Sequence, residues 1–408
     1  MRQVAVIGSG PSGCYLADQL LRLMPDARVD VVDRLPVPFG LVRHGVAPDH
    51  QGTKAVARLL DRILAHDRAA FFGNVEVGRD VTLAQLGQYY DAVVLATGAA
   101  IDRRTGLPGE ELAQVMGSGK LVSWYNGHPD RGEPDFGAGR AAVVIGHGNV
   151  AIDIARILAK TPGELAGSDI DDAAAARIAA LPLTRIHVVG RRGPQDAKFT
   201  PHELGELGQL ARARPVIAGA PDLAGDTAVM TTFRGFAAPA AVKPIEIIFH
   251  FGLAPREFLG LGRLEAVRFA GAAGDVTLPA DFAVTCIGYE ARACDDCTPV
   301  DGVMAHDGGL VRPGLYVVGW AGRGPSGTIP TNRTEAQGLA KRMAGEVVAA
   351  GRPGRDALRA ALRCPIVDHA GWKRIDAAEL AAAPERRVRA KFTDIGAMLD
   401  SAGRLLDA

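Results

Sequence analysis

The sequence predicts an α/β protein made of two Rossmann-like units, the second inserted into the first, and three observations support this. At 408 residues the chain is too long for one ordinary hydrophobic core, so two domains are expected. A strand, a glycine-rich turn at residues 8–13 and a helix open the chain. The same strand–turn–helix pattern begins again at Ala141, with its glycine-rich turn at residues 146–151.

The composition is that of a folded protein without a strong overall charge. Nearly half of the residues are hydrophobic and the formal net charge is zero, so no overall field favours nucleic acid or an anionic membrane. No apolar run is long enough to cross a bilayer, and the first strand begins at Gln3, which leaves no room for a signal peptide. The five cysteines are scattered and do not form a secreted disulfide framework. We therefore expect a cytoplasmic monomer that binds no metal, nucleic acid or membrane.

The first glycine-rich turn has the spacing of a dinucleotide-binding fingerprint. It reads Gly8-Ser-Gly10-Pro-Ser-Gly13, after a strand at residues 4–7 and before a helix at residues 12–24. Gly8 permits the tight turn, Gly10 lets the backbone approach a pyrophosphate, and Gly13 lets the helix pack closely on the strand. The start of the helix offers unpaired N–H groups and a positive dipole end to that pyrophosphate. An empty structural turn is the alternative.

A second fingerprint follows the strand at residues 143–145. It reads Gly146-His-Gly148-Asn-Val-Ala151, and the pattern tolerates alanine at the third glycine position. After it, a low-complexity stretch of alanine and aspartate at residues 168–180 is expected to elongate a pair of surface helices before the strand that ends at the arginine pair.

The two fingerprints differ in the residues that end their next strands. The strand at residues 29–32 ends at Asp33, whose carboxylate can accept a hydrogen bond from a free ribose hydroxyl. The strand at residues 186–190 ends at Arg191 and Arg192, which can hold a 2′-phosphate through forked, charge-assisted hydrogen bonds. The sequence therefore predicts two different dinucleotides, with NADPH at the second turn. A solvated basic turn is the alternative for the arginine pair.

Three further features have both a functional and a structural interpretation. Thr200-Pro-His-Glu203 is a capping box, which explains Glu203 structurally, but its carboxylate could also meet a bound nicotinamide nucleotide. Residues 324–330 lead into a helix, and their backbone N–H groups could face the pyrimidine edge of a bound flavin. His50 and Asp153 are candidates for proton handling. Taken alone, they are a loop histidine and an acid favoured by a helix dipole.

Cys294 and Cys297 have the CxxC spacing of a redox dithiol. They follow the strand at residues 282–288, and no strand-to-helix context surrounds them. We favour their interpretation as reduced, non-catalytic thiols.

Six short motifs spread over nearly the whole chain share one resemblance. They are PFGLVR at residues 38–43, GVAPDH at 45–50, GNVA at 148–151 with Asp153, RRGP at 191–194, GW at 319–320 and RGPSG at 323–327. Together they resemble the adrenodoxin reductase family, including its bacterial NADPH–ferredoxin reductases. Trp320 is the most specific residue, because related two-nucleotide flavoproteins usually have an aspartate after that glycine.

The resemblance implies FAD in a domain formed by residues 1–102 and 313–408, and NADPH in an inserted domain of residues 103–312. The positions that match FAD contacts of the family are Ser12, Asp33, Leu41, Val81, Trp320, Gly327, Thr328 and Ile329. The positions that match its NADPH contacts are Gly148, Asn149, Val150, Arg191, Arg192, Glu203 and Gly327. His50 and Asp153 match a pair that the family places near the flavin, on the side that faces the protein partner.

The resemblance predicts an FAD-dependent NADPH–ferredoxin oxidoreductase. NADPH would give a hydride to the flavin, and the flavin would release single electrons to a small iron–sulfur protein. Three alternatives stay open: an NADPH diaphorase that acts on quinones, a dithiol reductase that uses Cys294 and Cys297, and a flavin-loaded module that senses NADPH.

One departure from the family pattern concerns the protein partner. Between Phe199 and Lys243 the chain lacks a basic segment that, in the family, helps to dock an acidic iron–sulfur protein. Arg234 and the apolar segment FAAPAA at residues 236–241 occupy this stretch.

Overall fold

The computed structural model of the chain describes residues 1–238 and 241–403, so part of the FAAPAA segment lies outside the described residues. The chain divides into two compact units, one of Met1–Ile101 with Tyr289–Ala408 and one of Asp102–Gly288.

The insertion ends at Gly288, which differs from the predicted end at residue 312. Residues 289–312 join the first unit because Cys294, Cys297 and Met304 are buried in a hydrophobic cluster of that unit. Burial of apolar surface stabilises the core in which it occurs, so these side chains contribute to the stability of the first unit.

The elements follow one another along the chain in three segments. The first segment contains β1 (Arg2–Ile7), α1 (Pro11–Leu23), β2 (Ala27–Val32), α2 (Leu41–His44), α3 (Gln51–Lys54), α4 (Ala57–Leu64), β3 (Ala69–Phe72), α5 (Leu83–Tyr89), β4 (Ala92–Leu95) and β5 (Ile101–Asp102). The inserted segment contains β6 (Val115–Gly117), α6 (Ser118–Tyr125), β7 (Ala141–Ile145), α7 (Asn149–Ala159), α8 (Asp172–Ala179), β8 (Arg185–Val189), α9 (Pro201–Glu206), β9 (Ala213–Ile217), α10 (Ala228–Ala237), β10 (Ile245–His250), β11 (Ala254–Leu259), β12 (Ala266–Gly271), β13 (Gly274–Pro279) and β14 (Phe282–Thr285). The last segment contains β15 (Tyr289–Glu290), β16 (Leu310–Arg312), β17 (Leu315–Val317), α11 (Trp320–Arg323), α12 (Ile329–Glu346), α13 (Arg355–Ala361), α14 (His369–Ala381) and α15 (Ile395–Ser401).

The first unit is built on a six-stranded sheet in the order β16-β17-β4-β1-β2-β3. All neighbours are parallel except the edge pair of β16 and β17. Along β1, Val4 and Val6 face one hydrophobic cluster, while Ala5 and Ile7 face another. Burial on both faces explains why β1 and β4 are almost continuously apolar. Because β1 lies between β2 and β4, the chain leaves its carboxyl end at a topological switch point, where open α/β sheets bind ligands.

The second unit has a parallel six-stranded sheet in the order β6-β14-β7-β8-β10-β9. One face packs its Val144 and Val188 against helices, including α7. The other face packs Val143 and Val189 against β11–β13, an antiparallel three-stranded sheet. This small sheet is not predicted from the sequence, because its strands are half-exposed and resemble surface loops in composition. The predicted fold class of two Rossmann-like α/β domains is confirmed.

The alanine- and aspartate-rich stretch, which is predicted to elongate a pair of surface helices, contains the helix α8. Asp171 caps it by accepting a hydrogen bond from Ala174 N at 2.8 Å. Ala174 and Ile178 are buried in the core of the second unit, because the alanines leave space for α8 to pack closely. Within residues 1–238 and 241–403, no helix has the length and apolar character needed to cross a membrane.

Candidate functional site

The first glycine turn connects β1 to α1, and two of its glycines are required by packing. Gly8 has φ of +112°, and a Cβ atom there would lie 2.4 Å from the carbonyl oxygen of Ala96. A Cβ atom at Gly13 would lie 2.0 Å from the carbonyl oxygen of Gly8. Gly10 is different, because its φ is −68° and a Cβ atom there would meet nothing within 4 Å. The space in front of Gly10 is therefore open.

The start of α1 has the donors that a phosphate group needs. Gly10 is the N-cap residue, Pro11 has no N–H group, and no side chain caps the helix. Beside this turn, the buried hydroxyl oxygen of Thr97 has no hydrogen-bond partner in the described part of the chain. Uncapped helix N–H groups beside open space, with a buried hydroxyl near the same turn that lacks a partner, fit the pyrophosphate of a dinucleotide.

Asp33, directly after β2, is held by the turn itself. Its Oδ2 atom accepts hydrogen bonds from the backbone N–H of Ser9 at 2.9 Å and from the Ser9 hydroxyl. Its Oδ1 atom accepts from Leu35 N at 3.0 Å. A carboxylate has about four lone-pair sites, so Asp33 can still accept from a ribose hydroxyl. The sequence analysis misses the structural role that Ser9 gives to this acid.

The loop that contains Leu41 lies against the first turn. Phe39 N donates to the carbonyl oxygen of Ser9 at 3.1 Å, and a Cβ atom at Gly40 would lie 3.3 Å from Cα of Gly10. Leu41 begins α2 and is 42% exposed, although the other three residues of this helix are buried. An exposed leucine beside an open turn suits contact with an apolar ring.

The segment from Gly319 to Ile329 also reaches the first turn. A Cβ atom at Gly319 would lie 2.1 Å from the Ser12 hydroxyl, so only glycine fits there. Trp320 donates from Nε1 to the carbonyl oxygen of Ser326 at 2.9 Å and stacks on Tyr289 with ring centroids 6.1 Å apart. These contacts order a loop whose last residues, Gly327 and Thr328, are exposed.

An ion pair fixes the base of this loop. Glu335 of α12 accepts a hydrogen bond from Gly319 N at 2.9 Å and forms an ion pair with Arg323. Arg323 also donates to the carbonyl oxygen of Ser326 at 2.9 Å and to Asn332 at 2.9 Å. The sequence analysis misses Glu335, because nothing in its local sequence distinguishes it from a surface helix residue.

Val81 differs from the other predicted FAD contacts because it is a core residue. It is 2% exposed and belongs to the hydrophobic cluster that contains Ile7 and Val32. Its carbonyl oxygen accepts a hydrogen bond from Gly78 N at 2.8 Å, and packing therefore accounts for its side chain.

The second glycine turn connects β7 to α7 and repeats the geometry of the first. Gly146 has φ of +141°, and a Cβ atom there would lie 2.5 Å from the carbonyl oxygen of Cys286. Gly148 has φ of −128° and open space around its Cβ position, and it is the uncapped N-cap of α7. Val150 follows in the first turn of α7 and is half-buried. This turn therefore has the same room for a phosphate group.

The arginine pair lies at the carboxyl end of β8. Arg191 and Arg192 are exposed, and neither has an ion-pair partner among the described residues. The carbonyl oxygen of Arg192 accepts from Gly252 N at 3.0 Å, which fixes the backbone of Arg192. Two exposed guanidinium groups in the same unit as an open glycine turn fit the 2′-phosphate of NADPH.

Asn149 and Glu203 are joined through Thr200. The Asn149 side-chain oxygen accepts from Thr200 N at 2.9 Å, while the Thr200 hydroxyl donates to the Glu203 carboxylate. The predicted capping box is therefore only half formed, because Asn149, and not Glu203, binds the N–H group of the N-cap residue. Both side chains have a structural role here, whatever they contact in a complex.

Residues 2–311 match the family model described as pyridine nucleotide-disulphide oxidoreductase, which is about three quarters of the chain. The human mitochondrial NADPH:adrenodoxin oxidoreductase is 37% identical, over 93% of this chain and 87% of its own length. The chain belongs to this family, in its adrenodoxin reductase group. A probable ferredoxin/ferredoxin–NADP reductase of Mycobacterium tuberculosis is 38% identical over 98% of this chain and 75% of its own length. The structure of Mycobacterium tuberculosis FprA in complex with NADPH superposes with a TM-score of 0.92 at 33% identity, covering 98% of this chain and 99% of that chain.

Membership of the adrenodoxin reductase group confirms three of the predictions. The chain is an oxidoreductase, its fold is the predicted one, and its cofactors are the FAD and NADP of this family. The predicted residue contacts with these cofactors stay predictions.

His50 and Asp153 have different surroundings in this family member. His50 is the N-cap residue of α3 and is half-buried. Asp153 lies in the second turn of α7, where its carboxylate accepts from Arg156 at 2.6 Å. Arg156 is 1% exposed, so Asp153 has a structural role as the partner of a buried cation, which replaces the interpretation as an acid in the first helical turn.

The CxxC pair of this chain does not have the properties of a redox-active dithiol. Cys294 and Cys297 are both buried, and each backbone N–H donates to the carbonyl oxygen of the other at 2.9 and 3.0 Å. Burial raises the pKa of Cys294 to about 12 and also raises the pKa of Cys297. Reactive thiols have a lowered pKa and solvent access, so the structure disfavours a dithiol reductase.

Three histidines of the second unit are held in the neutral state. Burial lowers the pKa of His147, His187 and His250 to about 4 each. His147 packs on Phe251 with ring centroids 4.9 Å apart, and His187 Nδ1 lies 2.9 Å from His250 Nε2. Each neutral imidazole has one N–H group and one acceptor nitrogen. One ring therefore donates its N–H in the bond between His187 and His250, and the other ring accepts.

We expect these histidines to make thermal stability fall as the pH drops below neutrality. Their folded pKa values lie below the ordinary value of about 6.5, so the unfolded chain takes up protons first. The stabilisation is fully present above about pH 6.5 and is lost progressively toward pH 4. The melting temperature should fall by roughly 5 °C or more between pH 7.5 and pH 5. A His187→Leu/His250→Leu variant should show a shallower dependence, and an unchanged slope would contradict this explanation.

Proposed function

We propose that the chain is an FAD-dependent NADPH–ferredoxin oxidoreductase. The observation that supports this most strongly is the pairing of two open glycine turns with strand ends of opposite charge. The turn of the first unit is followed by Asp33, and that of the second by Arg191 and Arg192. An acid at this position suits a ribose hydroxyl and an arginine pair suits a 2′-phosphate, so the two turns suit FAD and NADPH respectively.

In the first unit we assign FAD to the space in front of α1. The uncapped N–H groups of α1 would hold the pyrophosphate, and Asp33 would accept from the adenosine ribose. Leu41 and the exposed loop after Trp320 are proposed to line the flavin end. The full proposed set is Gly8, Gly10, Ser12, Gly13, Asp33, Leu41, Val81, Trp320, Gly327, Thr328 and Ile329.

In the second unit we assign NADPH to the space in front of α7. The helix start would hold the pyrophosphate and the arginine pair the 2′-phosphate. The Asn149–Thr200–Glu203 contacts would shape the neighbouring surface. The full proposed set is Gly146, Gly148, Asn149, Val150, Arg191, Arg192 and Glu203. Two residues stay candidates for proton handling, His50 of the first unit and Asp153 of the second.

The numbers of electrons that NADPH gives and an iron–sulfur protein accepts decide what the flavin does and what the protein does. FAD, when bound, accepts the two electrons of a hydride and passes them on one at a time. The protein must therefore bind both nucleotides, orient them and exclude water, and neither glycine turn needs a reactive side chain for this.

The proposed electron acceptor is a small iron–sulfur protein, because relatives are named as reductases of ferredoxin and of adrenodoxin. Arg234 is exposed, and its side chain is bound within its own unit. Its guanidinium donates to the carbonyl oxygens of Leu223 and Gly225, at 2.8 and 2.7 Å, and so holds the loop before α10. We propose that the partner binds without Arg234.

The test is NADPH-driven reduction of cytochrome c with a panel of purified ferredoxins, each present or omitted. We expect reduction to depend on at least one ferredoxin, and an Arg234→Ala variant to retain that dependence. Equal rates without any ferredoxin, with rapid reduction of quinones, would favour a diaphorase. Slow flavin bleaching by NADPH in a stopped-flow trace would favour a sensor.

A further inference from the structure

A cluster of charged side chains in the first unit connects α14 to residues 39–44, which lie beside the first glycine turn. Glu379 of α14 is fully buried. Its carboxylate forms an ion pair with Arg43 of α2 and accepts from Arg389 at 2.9 Å and from Phe392 N at 3.0 Å. The Arg43 side chain is only 5% exposed. Two arginines from different parts of the chain thus share one buried carboxylate.

A second contact from the same helix supports the same loop. Trp372 lies seven residues before Glu379, about two helical turns away, and therefore on the same face of α14. Its ring packs edge-to-face on Phe39 with centroids 5.5 Å apart, and the Arg43 guanidinium lies 5.6 Å from its ring centroid. Trp372 Nε1 donates to Asp61 at 3.0 Å, which fixes the ring in the core.

The loop needs such support because its own conformation is unfavourable. Phe39 has φ of +84° and Gly40 has φ of +49°. Positive φ is a steric outlier for a side chain as large as phenylalanine. The following helix α2 has four residues, too few to be stable alone. The conformation of residues 39–44 is therefore imposed by the surrounding structure.

Stability alone does not explain this Arg–Glu–Arg cluster, in which Arg43 and Glu379 are buried and Arg389 is 22% exposed. The cost of removing the charges of Arg43 and Glu379 from water offsets most of their attraction, and apolar residues of similar volume often serve as well. What the cluster provides is a defined position, because the guanidinium of Arg43 must point at one carboxylate. Arg43 lies two residues after Leu41 in the same four-residue helix, so its position also constrains the backbone of Leu41.

We infer that Glu379 is a positioning residue for FAD: through Arg43, and with Trp372 on Phe39, it holds α2 so that Leu41 faces the flavin end of the site. The inference rests on the proposed FAD site in the first unit. Helix α14, which lies outside both glycine fingerprints, then belongs to the architecture of that site.

The test compares Glu379→Gln with Asp30→Asn as a matched control. Asp30 is also a fully buried carboxylate of the first unit, with Arg355 at 2.7 Å and Tyr90 at 2.9 Å as its partners. Each purified protein is stripped of bound nucleotide and titrated with FAD well below its melting temperature. We expect Glu379→Gln to weaken FAD binding by about 10-fold or more and to change the visible circular dichroism of the flavin. Asp30→Asn should lower the melting temperature while leaving both readouts within about twofold of the wild type.

The outcomes separate this inference from the proposed function. Failure of the wild-type protein to bind FAD would overturn the proposed function itself. Wild-type affinity and an unchanged flavin spectrum in Glu379→Gln would overturn the inference alone, as would equal effects in Asp30→Asn. If Glu379→Gln does not fold, Trp372→Phe replaces it. This variant keeps an aromatic ring but loses the bond to Asp61, and an unchanged spectrum there would also overturn the inference.

Discussion

Replacing both Arg191 and Arg192 by alanine should lower kcat/KM for NADPH by about 10²- to 10⁴-fold, while kcat/KM for NADH changes little. Each charge-assisted hydrogen bond contributes about 1.5–3 kcal/mol, and every 1.4 kcal/mol is about tenfold in affinity. NADH lacks the 2′-phosphate, so it loses no partner in the variant. The fold should be unaffected, because both arginines are exposed and only the backbone of Arg192 is bound by the unit.

Arg185→Ala is the matched control for this double variant. Arg185 is also exposed and begins the same strand, β8, whose other end leads to the arginine pair. The substitution removes a positive charge from the same unit, at the end of β8 that is farther from the second glycine turn. Unchanged NADPH kinetics in Arg191→Ala/Arg192→Ala, or an equal loss in Arg185→Ala, would contradict the assignment of the phosphate to the pair.

Replacing Gly10 by valine should abolish tight FAD binding and leave the fold intact. The Cβ position of Gly10 has no neighbour within 4 Å and its φ is −68°, so a valine is sterically allowed in the ligand-free protein. The added side chain would fill the space where the pyrophosphate meets the helix N–H groups. We expect FAD affinity to fall by about 100-fold or more, since several charge-assisted hydrogen bonds are lost together. The loss of a glycine N-cap should cost at most about 1 kcal/mol of stability.

Two further glycine variants make the comparison specific. Gly148→Val has the same open geometry at the second turn, so it should raise KM for NADPH and leave FAD bound. Gly8→Ala should prevent folding of the first unit, because its Cβ atom would meet a backbone oxygen at 2.4 Å and its φ is positive. FAD titration and thermal unfolding of all three variants check these outcomes. An equal loss of stability in Gly10→Val and Gly8→Ala would show that Gly10 is a structural glycine.

Features whose parts are close in sequence could be predicted. The strand, turn and helix around Gly8 and around Gly146 are each complete within about 25 residues, and the structure has both. The acid at Asp33 and the bases at Arg191 and Arg192 follow from the same local pattern, because a βαβ unit brings the next strand alongside the first.

Features that depend on distant partners could not be predicted. Arg43 and Glu379 are 336 residues apart in the chain, and the sequence around each residue does not indicate that the other is its partner. The half-formed capping box at Thr200 arises because Asn149, from another helix, binds the N–H group that a local pattern gives to Glu203. The place where the second compact unit ends, Gly288, depends on distant partners for the same reason, since only the packing of Cys294, Cys297 and Met304 shows which core contains them.

The amino-acid sequence by itself therefore determined the two glycine turns, the charge of the residue after each partner strand, and the class of nucleotide that each suits. These depend on backbone dihedral preferences and on charges that act within one supersecondary unit. Only the tertiary structure decided that Gly10 and Gly148 face open space, that three histidines are neutral, and that Glu379 of α14 pairs with Arg43 of α2. Open space, a shifted pKa and a buried ion pair are properties of groups that folding brings together from distant parts of the chain. The pKa shifts and the ion pair also depend on the removal of water from the groups, which happens only in the folded protein.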